Sequence, residues 1–519
     1  MSRKLLKSTA VTGGMTLISR ITGLWRDIEF AKFLGASTDV NADAFYVAFA
    51  IPNFFRRIFG EGAFSQAFVP VFTEYDARNG ERQTRVFVSH MTGVFALLLF
   101  AVTLIGVLAA PAVLMVLAPG FLQDAEKYGL TVQMLRITFP YLLFISLVSM
   151  AAGILNSRGR FAAAAFTPVL LNLVLIGAVV WVAPRLQQPV MALAWGVFFA
   201  GAAQLLFQLP FLLKMRMLPR PRVKRHEGVA RVFKLMVPAI FGSSVAQINL
   251  LVNRILASYL VTGSISWLYF SDRLMEFPLG VFGIALATVI LPSLSKNHVN
   301  ASGEAFSRLL DWALRWAFLI AVPASVGLVV LAGPIITTLF QHGAFNAFDV
   351  EMTARALMAF ALGLMGFVLV KILAPGFFAR QDTKTPAKIA MIAFGCNIVF
   401  SLLLVYPLKH VGLALAISLA AFINAALLYR VLRKRGVYTP LPGWGTFFFR
   451  IGLASAAMGS VLWWGAGDIQ AWLQAALLER ILRLSFWVII GILIYVGVLL
   501  FAGIKPRELL LKKPKQMLD

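Results

Sequence analysis

Arg20, Arg26 and Asp27 lie inside an apolar run covering about 8–34. Asn53, Arg56 and Arg57 lie inside a second, 43–72, and Asp272, Arg273 and Glu276 inside another, 266–294. If these runs cross a membrane, each ionisable group at the bilayer centre costs at least about 2.5–3.5 kcal/mol, so each needs water or a partner. At about 100° per residue, Thr16, Ser19, Arg20, Gly23, Arg26 and Asp27 gather on one arc, with Leu17, Ile18, Ile21, Leu24, Trp25 and Ile28 on the other side. Asn53, Arg56, Arg57 and Gly60 share a face with Glu61 just beyond, and Asp272, Arg273 and Glu276 share one with Tyr269. Arginine is the informative choice, because its planar fork grips phosphate through two parallel hydrogen bonds. Two readings stand. The stripes line a hydrated, anion-handling cavity, or they are internal ion pairs, Arg26 with Asp27 and Arg273 with Asp272 or Glu276, that lock helices together. Glu29 and Lys32 sit off the stripe where snorkelling suffices, and the solitary Arg254 and Lys371 read as snorkelled or water-facing.

The elements that must position these groups follow from composition. The chain has 519 residues, 60% of them apolar and 13% charged, with mean hydropathy +0.83. Soluble domains run about 45–50% apolar and 25% charged, which excludes a soluble globular protein. The 47 Lys+Arg against 22 Asp+Glu leave a net charge of +25, expected of basic cytoplasmic loops facing anionic lipid. One cysteine, Cys396, excludes an internal disulfide, and five scattered histidines offer no metal site. No phosphate-binding loop, H-E-x-x-H or G-x-S-x-G motif occurs, and Gly443-Trp-Gly445 completes no nucleotide fingerprint. The chain therefore reads as a non-enzyme without cofactor. Uphill work would draw on an ion gradient, the membrane potential or a partner that consumes the product.

The fold expected is an all-α polytopic membrane protein with 14 transmembrane helices. The runs fall at about 8–34, 43–72, 86–117, 129–155, 161–184, 189–213, 232–261, 266–294, 310–340, 353–378, 386–408, 411–430, 446–466 and 484–504. The first is read as a membrane helix rather than a cleaved signal, because Arg20 and Arg26 interrupt it and no small-x-small site ends it. Basic clusters at Lys214–Lys234, Arg430–Arg435 and Lys505–Lys515 fall on one side and Asp39, Asp43, Asp124, Glu126, Asp349 and Glu351 on the other. That places both termini in the cytoplasm. The Lys214–Lys234 run reads as a topology determinant and lipid-headgroup contact, and Trp463, Trp464 and Trp487 as interfacial belt residues. Met191-Ala-Leu-Ala recurs as Leu413-Ala-Leu-Ala, Leu108-Ala-Ala-Pro as Leu331-Ala-Gly-Pro, Pro70 as Pro292 and Arg158 as Arg380. These matches imply two parallel six-helix lobes around a central cavity. The divisions are 1–216 for the first lobe, 217–228 for a basic linker and 229–435 for the second lobe. Residues 436–504 hold two extra helices, and 505–519 form a basic tail.

Three motifs carry a resemblance. They are Ser19-Arg20-Ile-Thr-Gly-Leu-Trp-Arg26-Asp27, Pro52-Asn53-Phe-Phe-Arg56-Arg57-Ile-Phe-Gly-Glu61, and Asp272-Arg273-Leu-Met-Glu276-Phe-Pro278. With Asp43-Ala-Phe and Leu373-Ala-Pro-Gly-Phe-Phe-Ala-Arg380-Gln-Asp-Thr-Lys384, the chain resembles the MurJ (MviN) family of the multidrug/oligosaccharidyl-lipid/polysaccharide exporter superfamily. The resemblance implies a flippase that moves lipid II, an undecaprenyl diphosphate bearing a disaccharide-pentapeptide, across the bacterial inner membrane for peptidoglycan synthesis. It implies that Arg20, Arg26, Arg56 and Arg273 hold the diphosphate, with Asp272 and Glu276 in the same cavity and Asn53 and Ser19 beside it. Asp27, Asp43, Arg57, Glu61 and Lys371 take gating or structural roles. The two extra helices would form the groove for the polyprenyl tail. Membrane lipids and cell-wall synthases are the partners suggested, and nucleic acid is not. Glu29 departs from the family's usual apolar residue, the loop Ala36–Ala42 is slightly long, and 386–408 lacks the acidic residue of a sodium site. An ion-coupled exporter of drugs or another polyprenyl-linked oligosaccharide, or a non-transporting cell-wall scaffold, are the alternatives.

Overall fold

The structure, a computed structural model, describes residues 3–57, 63–280 and 303–504. Every described secondary-structure element is helical. Among the described residues nine helical runs are long and apolar enough to cross a membrane, from Gly80–Leu108 to Leu477–Phe501. Contacts divide the chain into two compact units, Met1–Ser266 with His342–Phe345, and Trp267–Gln341 with Asn346–Asp519.

The first unit contains α1 (Arg3–Leu34), α2 (Asn41–Phe55), α3 (Ala63–Arg78), α4 (Gly80–Leu108), α5 (Ala110–Leu117), α6 (Ala125–Thr138), α7 (Tyr141–Ser157), α8 (Phe161–Gly177), α9 (Met191–Lys214) and α10 (Glu227–Ser258). α1 lies along α8, α2 along α6, and α3 against α7 and α10. Between α3 and α4 a file of buried rings fills the core, with Phe64 stacked 4.2 Å from Phe95 and Phe68 6.0 Å from Phe87. Helices approach closely where glycine removes a side chain. A Cβ on Gly106 would fall 2.1 Å from the Phe139 ring, and one on Gly120 would fall 2.2 Å from the Ser258 carbonyl oxygen.

The second unit contains most of α11 (Ser264–Pro278), then α12 (Gly303–Val330), α13 (Ala332–Phe340), α14 (Ala347–Phe378), α15 (Lys384–Lys434), α16 (Trp444–Ala466), α17 (Ile469–Gln474) and α18 (Leu477–Phe501). The internal repeat is visible in the element boundaries. α5 and α13 begin 222 residues apart, as do α6 and α14. The repeated Leu-Ala-Ala/Gly-Pro motif is the break between α4 and α5 and between α12 and α13, where Pro111 and Pro334 sit inside the first turn of the new helix. Proline is tolerated there because the first amides have no intrahelical partner.

Local chemistry shifts several boundaries. The 43–72 run is two helices, α2 and α3, and Pro70 lies inside α3 instead of ending it. Its counterpart Pro292 lies outside the described residues. The 129–155 run breaks at Pro140 into α6 and α7. Residues 386–430 belong to one element, α15, interrupted only at Lys409 (φ 51°), where the turn is so tight that a Cβ on Gly412 would meet the Leu404 carbonyl oxygen at 2.2 Å. The short α17 was not foreseen. Its Trp472 is fully buried and donates to the Ala466 carbonyl at 2.8 Å.

The two helices beyond the repeat are fastened by charge. Asp311 on α12, fully buried, accepts hydrogen bonds from Tyr438 Oη, Trp444 Nε1, the Leu441 amide and, on its other oxygen, Arg315 Nε. Arg315 also stacks on Trp444 at 5.0 Å. At the far end Arg480 of α18 donates to the carbonyls of Thr337, Gln341 and Leu473. A cation so placed satisfies the last carbonyls of α13 and α17.

The α9–α10 connection forms a strap across α4. The Arg222 amide donates to the Ser89 carbonyl at 3.1 Å, and Gly93 leaves room for the strap, since a Cβ there would lie 2.4 Å from the Arg222 carbonyl oxygen. His226 ends the strap, its Nδ1 accepting from the Gly228 amide at 3.1 Å and its ring stacked 5.2 Å from His90. Burial, then the proximity of His90, hold His226 below its ordinary value of 6.5, against a smaller opposing pull from Glu227.

Two outcomes follow. Asp311→Ala strands four donors around a buried cavity and should lower unfolding free energy by about 3–5 kcal/mol, read as a fall in the thermal midpoint of the detergent-purified protein; a shift worth under about 1 kcal/mol would remove Asp311 as the anchor. Because His226 is favoured neutral when the strap is docked, the strap's stability is complete above pH 6.5 and declines as pH falls below it. Hydrogen exchange over 218–226 should therefore accelerate, beyond the intrinsic pH trend, between pH 7.5 and 5.5, and His226→Gln should abolish that excess.

Candidate functional site

The sequence-predicted residues of the first unit cluster on α1 and α2. The polar stripe of α1 runs from exposed Thr16 through half-buried Ser19 and Arg20 to buried Gly23, Arg26 and Asp27, while Leu17, Ile21 and Trp25 point outward at 57%, 60% and 49% exposure. Arg26 and Asp27 are both 3% exposed. The guanidinium donates to Asp27 Oδ1 through Nε (3.0 Å) and Nη2 (2.6 Å) and to Asn172 Oδ1 through Nη1 (3.0 Å). It also lies 5.4 Å from the Phe30 ring. Asn172 Nδ2 donates to the Ser19 carbonyl and to Thr22 Oγ1, each at 3.1 Å. Gly23 gives α8 its approach, with Asn172 Nδ2 3.5 Å from where its Cβ would stand. Asn172 was missed from the sequence, although an amide inside the apolar run 161–184 was the available signal.

Arg20, between the Ser19 and Thr22 that Asn172 contacts, is half-buried and makes no hydrogen bond or ion pair among the described residues. Arg56 closes the C-terminus of α2, its amide bonded to the Asn53 and Pro52 carbonyls and its Nε donating to Asn53 Oδ1 at 3.0 Å. Asn53 Nδ2 in turn donates to the Phe49 carbonyl. Arg57 is exposed. Glu61 lies outside the described residues.

Asp43 accepts four hydrogen bonds among the described residues. Read from sequence as a loop charge, it sits in the first turn of α2 at 1% exposure. Lys127 Nζ of α6 donates to it at 2.9 Å, the Gly263 amide at 2.9 Å, and the Ser266 amide and hydroxyl at 3.0 and 2.6 Å. One carboxylate thus ties α2 to α6 and caps the start of α11. Lys127 was also missed, because in sequence it looked like one more charge in a loop with Asp124 and Glu126.

The second unit, taken by itself, places Asp272, Arg273 and Glu276 on α11. Arg273 Nη1 donates to Glu276 Oε2 at 3.2 Å, with side chains 38% and 48% exposed, and lies 5.9 Å from the Tyr269 ring. Asp272 is half-buried, and Lys371 of α14 is exposed. Trp267 on α11 donates to buried Asp349 at 2.9 Å. Asp349 stands 222 residues after Lys127, so equivalent places in the repeat carry opposite charge and do the same work of joining two helices.

Magnitudes separate the arginines. A part-exposed pair such as Arg273–Glu276 is worth about 0–1 kcal/mol where water reaches it. Parting a buried pair such as Arg26–Asp27 costs about 3–5 kcal/mol. Among the described residues no group of three or more His, Cys, Asp or Glu side chains is arranged to hold a metal.

The family model described as lipid II flippase MurJ matches residues 30–483. A relative from Vibrio cholerae named probable lipid II flippase MurJ is 46% identical over 517 residues, 98% of each chain. The lipid II flippase MurJ of Burkholderia cenocepacia is 44% identical over 508 residues, 96% of this chain and 98% of its own. Among solved structures, a lipid II flippase MurJ in an inward closed conformation superposes with TM-score 0.79 at 27% identity, covering 94% of this chain and 98% of that one. An inward-facing multidrug resistance MATE transporter of the MOP superfamily matches at TM-score 0.66 and 15% identity, covering 82% and 98%, which speaks to fold alone.

The Asp43–Lys127 contact makes a measurable statement. Asp43→Ala and Lys127→Ala should each destabilise the protein, while the double variant should cost less than their sum by about 0.5–3 kcal/mol. Additive losses in thermal denaturation would show that the two side chains do not act as a pair.

Proposed function

The chain belongs to the lipid II flippase MurJ family, and from that premise we propose how its charged residues serve translocation. It is a multi-pass protein of the bacterial inner membrane, a transporter and not a catalytic enzyme, with lipid II as its substrate. The observation that carries the assignment is identity of 43–46% to named lipid II flippases over nearly the full length.

The finer reading is ours. The chain crosses the membrane fourteen times with both termini cytoplasmic, as two six-helix lobes (1–216 and 229–435) and an added pair within 436–504. Transport proceeds by alternating access. Arg20, Arg26, Arg56 and Arg273 hold the diphosphate, replacing the hydration that the bilayer core would strip. The geometry of each supports a different part in this. Arg20 is half-buried, and Arg56 is oriented by Asn53, which accepts from its Nε at 3.0 Å. Arg273 trades Glu276 for phosphate at little cost. Arg26 joins only when Asp27 and Asn172 release it, so it suits a late step of the cycle. Asp272 and Glu276 then compete for Arg273 and assist release. Asn53, which orients Arg56, and Ser19 join the arginines in binding the substrate, and Asp27, Asp43, Arg57, Glu61 and Lys371 act in gating or support. The tail rides on the added pair, and cell-wall synthases consume the product.

Each charge-assisted bond contributes about 1.5–3 kcal/mol, so Arg56→Ala or Arg273→Ala should slow translocation about ten- to a hundredfold at normal folding yield. The measurement is outer-leaflet accessibility of the lipid-linked precursor in cells depleted of the native protein. Lowered yield with undiminished accessibility would favour a structural role and a scaffold.

A further inference from the structure

A cavity of about 660 Å³ opens within the first unit between the end of α1, the 39–41 turn, the first turns of α6 and the 187–190 loop. It adjoins the start of α9, whereas the basic strap leaves from that helix's other end, 24 residues away. At 1.5 Å per residue that is about 36 Å, so cavity and strap occupy opposite membrane faces and the cavity falls on the less basic one. Its polar lining consists of Asp39, Asn41, Glu126, Gln133, Gln187 and Gln188, and its apolar lining includes Phe33 and Pro189. Asp39 is held in place by the Asn41 amide at 2.8 Å. Among the described residues no lysine or arginine lines the cavity, and Lys127, next to Glu126 in sequence, is turned away to Asp43.

That lining selects its ligand by exclusion. A phosphate or carboxylate would meet two carboxylates and no cation. A phospholipid could offer its ammonium group, but its phosphate would be left without a partner. A neutral sugar has neither fault. Carboxylates and primary amides present pairs of acceptors and donors that match vicinal hydroxyls and an amide substituent, and Phe33 and Pro189 offer apolar surface to a ring face. The volume lies in the 300–1,000 Å³ range of small-molecule sites, roughly enough for a disaccharide. We propose that this cavity binds a neutral, hydroxyl- and amide-bearing sugar on the outer face of the membrane. The sugar comes either from the headgroup of the transported lipid, which rests on the flippase reading above, or from finished glycan, which does not.

The wall supplies its own test. Gly129 of α6 borders the cavity, and a Cβ there meets nothing within 4 Å. Gly129→Phe therefore starts a bulky side chain from open space at the cavity wall and removes a helix-weakening glycine. Saturation-transfer NMR on the full-length protein in detergent, with N,N′-diacetylchitobiose as probe, should show saturable binding. Gly129→Phe should weaken it at least about tenfold, and Glu126→Gln should weaken it less, both at unchanged thermal midpoint. Arg273→Ala, expected to impair translocation, should bind the probe normally, so loss of transport and loss of sugar binding are separable. Displacement of the probe by the water-soluble headgroup of lipid II supports the first source, and displacement by uncharged glycan fragments alone supports the second. No binding to the unaltered protein, equal binding to Gly129→Phe, or displacement by glycerophosphoethanolamine would overturn the proposal.

Discussion

A charge in a low-dielectric bundle must be answered within hydrogen-bonding distance, and this constraint organises both units. Asp43, Asp311 and the Arg26–Asp27 pair are each almost completely buried; the two carboxylates are each met by several donors, and the pair is met by Asn172 of α8. Apolar packing alone discriminates weakly among helix registers here, since lipid tails are as apolar as leucine. The buried carboxylates supply the missing specificity: Asp43 sets α2 against α6 and the start of α11, and Asp311 sets the added helices against α12. Shape follows from where charges can be satisfied.

The same constraint divides the arginines by availability. The Arg273–Glu276 pair is part-exposed, and such pairs bind weakly. Arg26 is committed, and its release would need a rearrangement of α1 against α8 large enough to offset the lost contacts. A transporter that must take up and let go of a diphosphate benefits from such a spread of strengths, because uniformly tight binding would slow release.

How much of this was legible in the sequence depended on whether the signal was local. The helical class, the polar stripe of α1 and the repeated proline breaks were visible because periodicity and proline chemistry act over a few residues. Lys127 and Asn172 were not, because their importance lies in partners 84 and 146 residues away. Pro70 misled for a related reason. A proline's missing amide removes one bond of a helix, but the packing of α3 on α7 and α10 keeps the helix going to Arg78. A gating or structural role for Asp43 is implied by the resemblance, but nothing nearby in sequence announces that the chain will bring Ser266 to it.

The strap between α9 and α10 is fastened partway along, by backbone bonds at Arg220 and Arg222. A tether clamped at its middle has two mechanically unlike halves. Residues inserted before Arg220 would bulge as slack that the clamp absorbs. Residues inserted after Arg222 would act on the neighbouring helix directly, changing its entry angle and the capping histidine's reach. An epitope or fluorophore grafted into this connection is therefore best tolerated on its upstream side.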